Sequence, residues 1–428
     1  MVNCKYSEKC GGCVDIKKPY ESTLSEKQKY MEKTFSDFGN VHTIFSNYYP
    51  YKYRNKLQLA FSQLKGKTII GFFEEGSTKI TDIDGCILNG DWSYTLISIL
   101  REYISRFKVW GFVYGEGGVL RYAHARCIQN KLQLTLCVTT DNFPGREWLY
   151  KKLAENFDEV SFYLNINKRT DHAVFDNNFR FVAGNKYLIA NAFGVNISIE
   201  PSSFLQVNEK IATKMYKHAV DLLELNSNTT VLDLYCGIGI TSILFSKHCK
   251  EVIGIEENPK AISNAIHMAK ISNANNIKFL SGKCENNLDK MINAQDLVVF
   301  VDPARLGLDS SVIKRIITLG PRKIVYMSCN PETCVRDLKL LVSDNKYIVS
   351  DIFPYDMFVY TKHIETLVCL QRQVWRCEFV IALGERENIS SGSRGRYVYI
   401  YKAHRNTDLL AKIKLVVSFC CCDWMGKL

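Results

Sequence analysis

From Ile199 to about Arg372 the sequence alternates short apolar runs with amphipathic segments. The apolar runs are rich in β-branched and aromatic residues and predict buried strands, and the amphipathic segments between them predict helices. This alternation is typical of a parallel, doubly wound sheet, so residues 199–372 are predicted to form an α/β domain. Seven strands are predicted: Thr230–Leu234, Glu251–Ile255, Ile277–Leu280, Asp296–Val301, Lys323–Met327, Tyr347–Phe353 and Ile364–Leu370.

The chain before this domain has a different pattern of apolar and turn residues. After a predicted amphipathic helix over Tyr20–Phe38, short strand-like segments and Gly, Asn and Asp turns continue to about Asn196. This pattern predicts a mixed α+β region over residues 1–198. Residues 373–428 include a Ser/Gly/Arg-rich piece, Ser390–Arg396, and three consecutive cysteines, Cys420–Cys422. We leave this segment as an unassigned C-terminal extension.

Composition excludes some classes of protein. No run of eighteen apolar residues occurs, so no membrane span is predicted. The first residues have no apolar core, so no signal peptide is predicted, and the cytoplasm is the expected location. The formal net charge of +11 suits a polyanionic partner, although many basic proteins bind nothing anionic.

The first predicted strand of the α/β domain runs into a glycine turn, Gly237-Ile-Gly239. The third glycine of a dinucleotide fingerprint is missing, because Ser242 stands in its place. Glu256 follows the second strand, where a carboxylate can accept both hydroxyls of a ribose. S-adenosylmethionine has a ribose and no phosphate, so it fits this pattern better than NAD does. The alternative is a Rossmann-like domain with no nucleotide.

Three further chemical groups lie at strand ends of the same domain. Asp302 follows the fourth strand, Cys329 follows the fifth, and Glu365 stands at the start of the last. Because the carboxyl ends of parallel strands form one edge of a sheet, Asp302 and Cys329 are predicted to share a ligand site there with Gly237 and Glu256. Cys329 is a candidate nucleophile and Glu365 a candidate base. The alternatives are a buried structural thiol and a solvated carboxylate.

Sixteen cysteines in a chain without a predicted export signal favour metal binding or catalysis over disulfides. Cys4, Cys10 and Cys13 cluster around a Gly-Gly turn, and Cys86 is the best candidate for a fourth ligand. Four thiolates suit a structural zinc ion or an iron–sulfur cluster. The layout of three close cysteines and one distant cysteine favours the cluster. Unrelated free thiols are the remaining alternative.

Basic and aromatic residues are interleaved over Tyr48–Phe73, which contains no acidic residue. Cations neutralise phosphates and aromatic rings stack on unpaired bases, so this stretch is a candidate RNA surface. The alternative is a β-hairpin with one solvated basic face. The cations assigned to the surface are Lys52, Arg54 and Lys56, with Arg121 and Arg126 from a later strand-like run.

Taken in order, these segments resemble one family, the bacterial RNA uracil-5 methyltransferases that use S-adenosylmethionine. The similarity covers Cys4 to about Arg372. The cysteines make the chain more similar to the branch that acts on 23S ribosomal RNA than to the branch that acts on tRNA. The motifs are CxxxxxCGGC with Cys86, YRNK at Tyr53–Lys56, SFLQVN at Ser203–Asn208, DLYCGIG at Asp233–Gly239, DPARLG at Asp302–Gly307, SCNP at Ser328–Pro331 and HIE at His363–Glu365.

The resemblance implies a Rossmann-like, seven-stranded methyltransferase domain preceded by an iron–sulfur and RNA-binding domain. It implies a monomer that methylates C5 of a single-stranded or loop uridine in 23S rRNA, with Cys329 as the nucleophile and Glu365 as the base. Ile240 departs from the family, which often has a polar residue there. The implied donor contacts are Gln206, Tyr235, Glu256 and Asp302, and the implied ligands of a [4Fe-4S] cluster are Cys4, Cys10, Cys13 and Cys86.

Three other functions stay open on the sequence. A cytosine-5 or N-directed methyltransferase would use the same donor with another acceptor. A non-catalytic RNA-binding factor would keep the fold without turnover. A nicotinamide oxidoreductase would use the glycine turn for a dinucleotide.

Overall fold

The computed structural model describes residues 4–46, 49–171, 173–288, 295–373, 378–387 and 394–403 of the chain. Two compact units are present, Met1–Arg372 and Gln373–Leu428. In the second unit, β17 (Glu378–Glu387) and β18 (Arg394–Ala403) form an antiparallel pair. Tyr48, most of Ser390–Arg396 and Cys420–Cys422 lie outside the described residues. The subdivision of the first unit at residue 199 stays a prediction.

The predicted seven-stranded sheet is present in the first unit. Its order is β12-β11-β10-β13-β14-β16-β15, with β16 antiparallel to both of its neighbours and the other pairs parallel. The prediction of an α/β fold is therefore confirmed. The strands are β10 (Thr230–Leu234), β11 (Glu251–Glu256), β12 (Ile277–Ser281), β13 (Leu297–Val301), β14 (Lys323–Ser328), β15 (Tyr347–Tyr355) and β16 (Glu365–Arg372).

Both faces of this sheet are covered, which explains why its central strands are continuously apolar. Alternate residues of a strand point to opposite faces. Val325 accordingly packs in one core and Tyr326 in the other. α4 (Glu209–Leu223), α5 (Ile240–Ser246) and α6 (Pro259–Ile271) contribute to the first core. α1 (Tyr20–Thr34), α7 (Cys284–Leu288), α8 (Ser310–Leu319) and α9 (Pro331–Leu341) contribute to the second.

A second seven-stranded sheet precedes the first in sequence. Its order is β3-β2-β1-β4-β5-β6-β7, and every pair is antiparallel except β5 with β6. A separate apolar core lies between this sheet and two helices, α2 (Asp91–Phe107) and α3 (Arg146–Ala154). The strands are β1 (Lys56–Leu64), β2 (Lys67–Phe73), β3 (Ile80–Asp82), β4 (Leu120–Ile128), β5 (Lys131–Val138), β6 (Glu159–Ile166) and β7 (Phe179–Gly184).

A hairpin of β8 (Leu188–Ala192) and β9 (Val195–Ile199) leads from this sheet into the α/β part, and its buried residues join the first core. Met31 of α1 and Phe35, the residue that follows this helix, are buried in the second core, far in sequence from the strands they pack against. The amino-terminal residues are thus integrated with the α/β sheet. No helix in the described part of the chain is long and apolar enough to cross a membrane.

Candidate active site

A cavity of about 1050 Å³ opens at the carboxyl edge of the α/β sheet. It is lined by the segments that follow β10, β11, β13 and β14, by the start of β16 and by residues 202–206 before α4. The six residues assigned to catalysis and donor binding all line this one cavity: Gln206, Tyr235, Glu256, Asp302, Cys329 and Glu365. The structure therefore brings together groups that are separated by up to 159 residues in sequence, from Gln206 to Glu365.

The turn after β10 is held in a conformation that favours glycine. Tyr235, Gly237 and Gly239 all have φ between 53° and 81°. At Gly239 a Cβ would lie 2.9 Å from the Phe279 ring and 3.0 Å from the Ala265 Cβ, so this position cannot carry a side chain without repacking. The Gly237 amide donates to Glu256 Oε2 at 3.2 Å. This bond orients the Glu256 carboxylate at the cavity wall.

Gln206 is held by the amino-terminal part of the chain. Asn55, which is buried, donates from Nδ2 to the Gln206 carbonyl at 3.0 Å, and its backbone amide donates to the Val207 carbonyl at 3.0 Å. Asn208 then caps α4 and donates to the Met357 carbonyl at 3.2 Å. The segment over residues 206–208 is therefore fixed from both sides.

Two carboxyl groups in the cavity have pKa values raised above the usual range of carboxyl groups. Burial and then the neighbouring Asp233 raise the pKa of Asp302 to about 7. Burial and then Asp302 raise the pKa of Glu365 well above its usual range. Glu365 is 2% exposed and its Oε2 has no hydrogen-bond partner among the described residues. Such a pair attracts a cation, because a positive charge would relieve the cost of ionising both groups.

The Cys329 thiol is partly exposed in the cavity, between the end of β14 and the N-cap of α9, Asn330. Burial, Glu365 and Asp302 raise the pKa of this thiol to about 11, while Arg305 opposes the rise. Thiolate formation thus requires added positive charge nearby. Cys236 also lines the cavity but is 7% exposed, and Cys334 is fully buried on α9. Cys329 is the accessible thiol.

Several cavity residues were not singled out from the sequence. Arg305 bonds to the His363 ring at 3.0 Å, and its carbonyl accepts bonds from Asn330 and Thr333. Phe204 and Leu306 are 69% and 82% exposed at the cavity. Arg305, Leu306 and Phe204 lie inside motifs quoted above, so those motifs were the available signal.

The assignment of Arg121 and Arg126 to an RNA surface is wrong. Both side chains are 2% exposed. Arg121 donates to the carbonyls of residues 167, 169 and 171, and Arg126 donates to those of residues 200, 201 and 203. A guanidinium has five donors, so it can be buried when carbonyls satisfy it. These arginines fix loops, and Arg126 holds the segment that leads to Gln206.

The four predicted ligand cysteines line a second cavity, of about 350 Å³, close to Arg54 and Val207. All four are free thiols. Burial raises the pKa of Cys10, Cys13 and Cys86, and the neighbouring cysteines add to the rise for each of them. Nowhere in the described ranges do three or more His, Cys, Asp or Glu side chains converge closely enough to hold a single metal ion. The thiols therefore surround a space without meeting at a point.

The sheet order, the glycine turn and the acidic cavity define the class, a methyltransferase with a Rossmann-like fold that uses S-adenosylmethionine. The chain belongs to the tRNA (uracil-5-)-methyltransferase family, whose model matches residues 19–373. The family-level prediction is thus confirmed.

The relatives agree with this assignment. An uncharacterised RNA methyltransferase of Bacillus cereus is 29% identical, covering 87% of this chain and 83% of the relative. One of Listeria monocytogenes is 30% identical, covering 86% and 83%. The crystal structure of the tRNA (uracil-54, C5)-methyltransferase of Pyrococcus abyssi, in complex with S-adenosyl-L-homocysteine, is similar with a TM-score of 0.70. It is 27% identical, and the match covers 84% of this chain and 86% of that one.

Proposed function

We propose that the protein transfers a methyl group from S-adenosylmethionine to C5 of a uridine in 23S rRNA through a covalent bond between Cys329 and C6 of the base. The observation that carries the proposal is the shared cavity. It places one accessible thiol and one buried carboxyl group beside the glycine turn and Glu256. An accessible thiol and a base in one site are the parts that covalent catalysis needs.

In the proposed reaction the Cys329 thiolate adds to C6 of uracil, and the electron pair of the C5–C6 bond moves into an enolate. C5 then attacks the methyl carbon of the sulfonium, and S-adenosylhomocysteine leaves. The Glu365 carboxylate takes the proton from C5, the C5–C6 double bond re-forms and the thiolate is released. A raised pKa makes Glu365 a stronger base once it is ionised.

The donor supplies positive charge to the acidic cavity. Its sulfonium and ammonium groups are cations, which lower the pKa of nearby carboxyl and thiol groups. Asp302, Glu365 and Cys329 would then ionise more readily with the donor bound. In this proposal Glu256 accepts bonds from the ribose, and Gln206, Tyr235 and Asp302 complete the donor site.

The two steps assigned to Cys329 and Glu365 can be separated by substitution. Cys329→Ala is expected to form no covalent RNA adduct and to transfer no methyl group. Glu365→Gln keeps the shape but removes the base, so methylated RNA should accumulate while bonded to Cys329. Mass spectrometry of the protein–RNA adduct reports both outcomes. Cys334→Ala is the matched control and should behave as the unaltered protein does. Turnover by Cys329→Ala would refute the mechanism.

Fewer observations support the identity of the RNA acceptor than support the reaction itself. The four-cysteine cavity supports 23S rRNA, because it carries the resemblance to that branch. The similarity to the Pyrococcus abyssi enzyme favours tRNA as a second candidate. Transfer of labelled methyl groups to purified 23S rRNA and to purified tRNA, followed by nuclease digestion and nucleoside analysis, decides between them. Label in tRNA alone would overturn the assignment to 23S rRNA.

We further propose that Cys4, Cys10, Cys13 and Cys86 hold a [4Fe-4S] cluster. The proposal is supported by the four thiols that line one cavity, three close in sequence and one distant, which is a layout that iron–sulfur clusters use. The Asn89 amide donates to the Cys86 carbonyl at 3.1 Å, which fixes the backbone turn that carries this cysteine. A cluster there would join the two loops that carry these cysteines. Protein purified without oxygen should contain iron and sulfide, and Cys86→Ser should lose both. Stoichiometric zinc without iron would refute the cluster.

A further inference from the structure

A groove of about 680 Å³ is lined by Glu209 and Lys210, which follow residues 206–208 in sequence. It is formed by the segment before β1, by the start of α2 and by one side of α4. We call it the Lys210 groove. The residues that matter for its chemistry are Tyr51, Lys52, Arg54, Trp92, Lys210 and Lys214.

Most of the cations that line the Lys210 groove are available to bind phosphates. Lys210 and Lys214 are exposed and lie on consecutive turns of α4, about 6 Å apart along the helix axis. Neither they nor Arg54 form an ion pair with any residue that the structure describes. Lys52 pairs with Asp91 at 2.9 Å, but both side chains are well exposed, so a phosphate can compete.

Aromatic rings line the same groove. Tyr51 is 42% exposed, Tyr49 next to it is 62% exposed, and Trp92 is partly buried at the start of α2. An exposed aromatic ring offers a face on which an unpaired base can stack. Cations for phosphates together with rings for bases are the features that single-stranded nucleic acid requires.

Backbone contacts connect the groove to the residues of the donor site. Asn55 bonds to Gln206 and Val207, Arg54 forms a β-bridge with Asn208, and Glu209 already lines the groove. A strand whose target base lies in the methyl-transfer cavity would therefore pass close to the groove.

We infer that the Lys210 groove binds a single-stranded segment of the substrate RNA that flanks the target uridine. Lys210 and Lys214 contact its phosphates and Tyr51 stacks on one of its bases. The inference rests on the proposed function, because it takes the RNA in the cavity as given. It replaces the surface expected from the sequence, since it includes two lysines of α4 and excludes Arg121 and Arg126.

Charge reversal tests the phosphate contacts. We would measure the binding of fluorescent oligouridylate of about 20 nucleotides over a range of salt concentrations. Lys210→Glu with Lys214→Glu is expected to weaken binding at least tenfold. The slope of log K against log salt should become shallower by about 1.4, since each of the two lost phosphate contacts removes about 0.7.

The matched control is Lys270→Glu with Lys278→Glu. This pair makes the same change in net charge on α6 and β12, at exposed positions that line neither the cavity nor the groove. It should bind RNA almost as the unaltered protein does. An equal loss in both double variants would mean that only net charge matters, and that result overturns the inference.

Substitution of Tyr51 tests stacking. Tyr51→Ala should weaken binding of the long oligonucleotide about tenfold, and Tyr51→Phe should restore it because the ring face is kept. Equal affinities for the Ala and Phe variants would overturn the stacking role.

Covalent trapping of a 5-fluorouridine oligonucleotide separates this inference from the proposed function, because the bond forms at Cys329 and not in the groove. At saturating RNA the groove variants should still form the adduct, but they should need a higher RNA concentration than the unaltered protein does. If the unaltered protein forms no adduct with this oligonucleotide, the proposed function fails. If it forms adducts while the Lys210/Lys214 variant keeps full affinity and salt slope, only the groove inference fails.

Discussion

At the scale of single residues, the acidic pair Asp302 and Glu365 dominates the site. Two carboxyl groups share a cavity with the thiol of Cys329. Asp302 adds to the raised pKa of Glu365, and both carboxyl groups add to the raised pKa of Cys329. A cationic donor compensates for this arrangement. Donor binding and proton release should therefore be linked.

Donor binding is expected to depend on pH with a definite sign. Asp302 has a pKa of about 7 in the free protein, and a bound cation lowers it. The complex then holds fewer protons than the free protein, so affinity should rise as pH increases through about 7 and fall below it. Calorimetry in buffers of different ionisation enthalpy should show proton release near pH 7.

S-adenosylhomocysteine serves as the control for this prediction, because it lacks the sulfonium charge. It should release fewer protons than S-adenosylmethionine does. Equal proton release by the two ligands would show that the sulfonium does not act on Asp302.

Residue type and position at strand ends predicted which groups meet in the cavity, but they did not predict exposure. Cys329 and Glu365 were assigned from strand ends, and the structure brings both to one cavity. Arg121 and Arg126 were misassigned because the sequence shows that a residue is charged but does not show which backbone carbonyls bind its side chain in the folded protein. Tyr216, which lines the cavity from α4, gave no signal, since an aromatic residue on an amphipathic helix is usually core.

At the scale of elements, α1 is attached to the loop before β16 by a buried ion pair. Lys27 donates to Asp356 Oδ1 at 2.5 Å, to the Phe358 carbonyl at 3.1 Å and to the His363 carbonyl at 3.0 Å. The two charged side chains are 6% and 1% exposed. This loop lines the cavity with Phe358 and leads directly to Glu365.

Breaking the pair from one side should be costly. Lys27→Met leaves the Asp356 carboxylate buried without a cation, and we expect the free energy of unfolding to fall by about 3 to 5 kcal/mol. Urea denaturation measures the change. Lys29→Met, at an exposed position on the same helix, is the control and should change stability by less than about 0.5 kcal/mol.

Removing both charges tests the cause. Lys27→Met with Asp356→Leu leaves no unpaired charge and should recover part of the loss. A double variant that is as unstable as the sum of its single variants would mean that the ion pair is not what holds the loop.

The turn after β10 allows a comparison between two glycines. Both have positive φ, but a Cβ at Gly237 meets nothing within 4 Å, whereas one at Gly239 meets the Phe279 ring and Ala265. Gly237→Ala should lower the stability of the donor-free protein by about 1 kcal/mol, and Gly239→Ala by about 2 to 4 kcal/mol. Thermal and urea unfolding test this order, and a reversed order would contradict it.

Element positions in the α/β part followed from periodicity, and every predicted strand is present with its ends shifted by at most two residues. Strand order did not follow from periodicity. The exchange of β15 and β16 and the antiparallel direction of β16 depend on long-range pairing, which alternation in a single sequence does not encode. For residues 1–198 the sequence predicted only a mixed α+β region and not the individual strands β1–β7, because short strands do not show clear ends in the sequence pattern.

At the scale of the whole molecule, the first compact unit contains every residue assigned to the site and ends at Arg372. Deletion of residues 373–428 is therefore expected to leave donor affinity and methyl transfer within about twofold of the full chain. Calorimetry with S-adenosylmethionine and the methyl-transfer assay measure both. Loss of soluble protein on truncation would contradict the expectation.

The ion pair between Lys27 and Asp356 can form only late in the synthesis of the chain. The two residues are separated by 329 positions, so at ribosomal rates of about 5 to 20 residues per second Asp356 is synthesised roughly 16 to 66 seconds after Lys27. Over that interval α1 has neither its counter-ion nor the later strands on which Met31 and Phe35 pack. Helix α1 is thus synthesised well before the elements that bury it, and a nascent chain that stalls before β15 would expose it to chaperones and proteases.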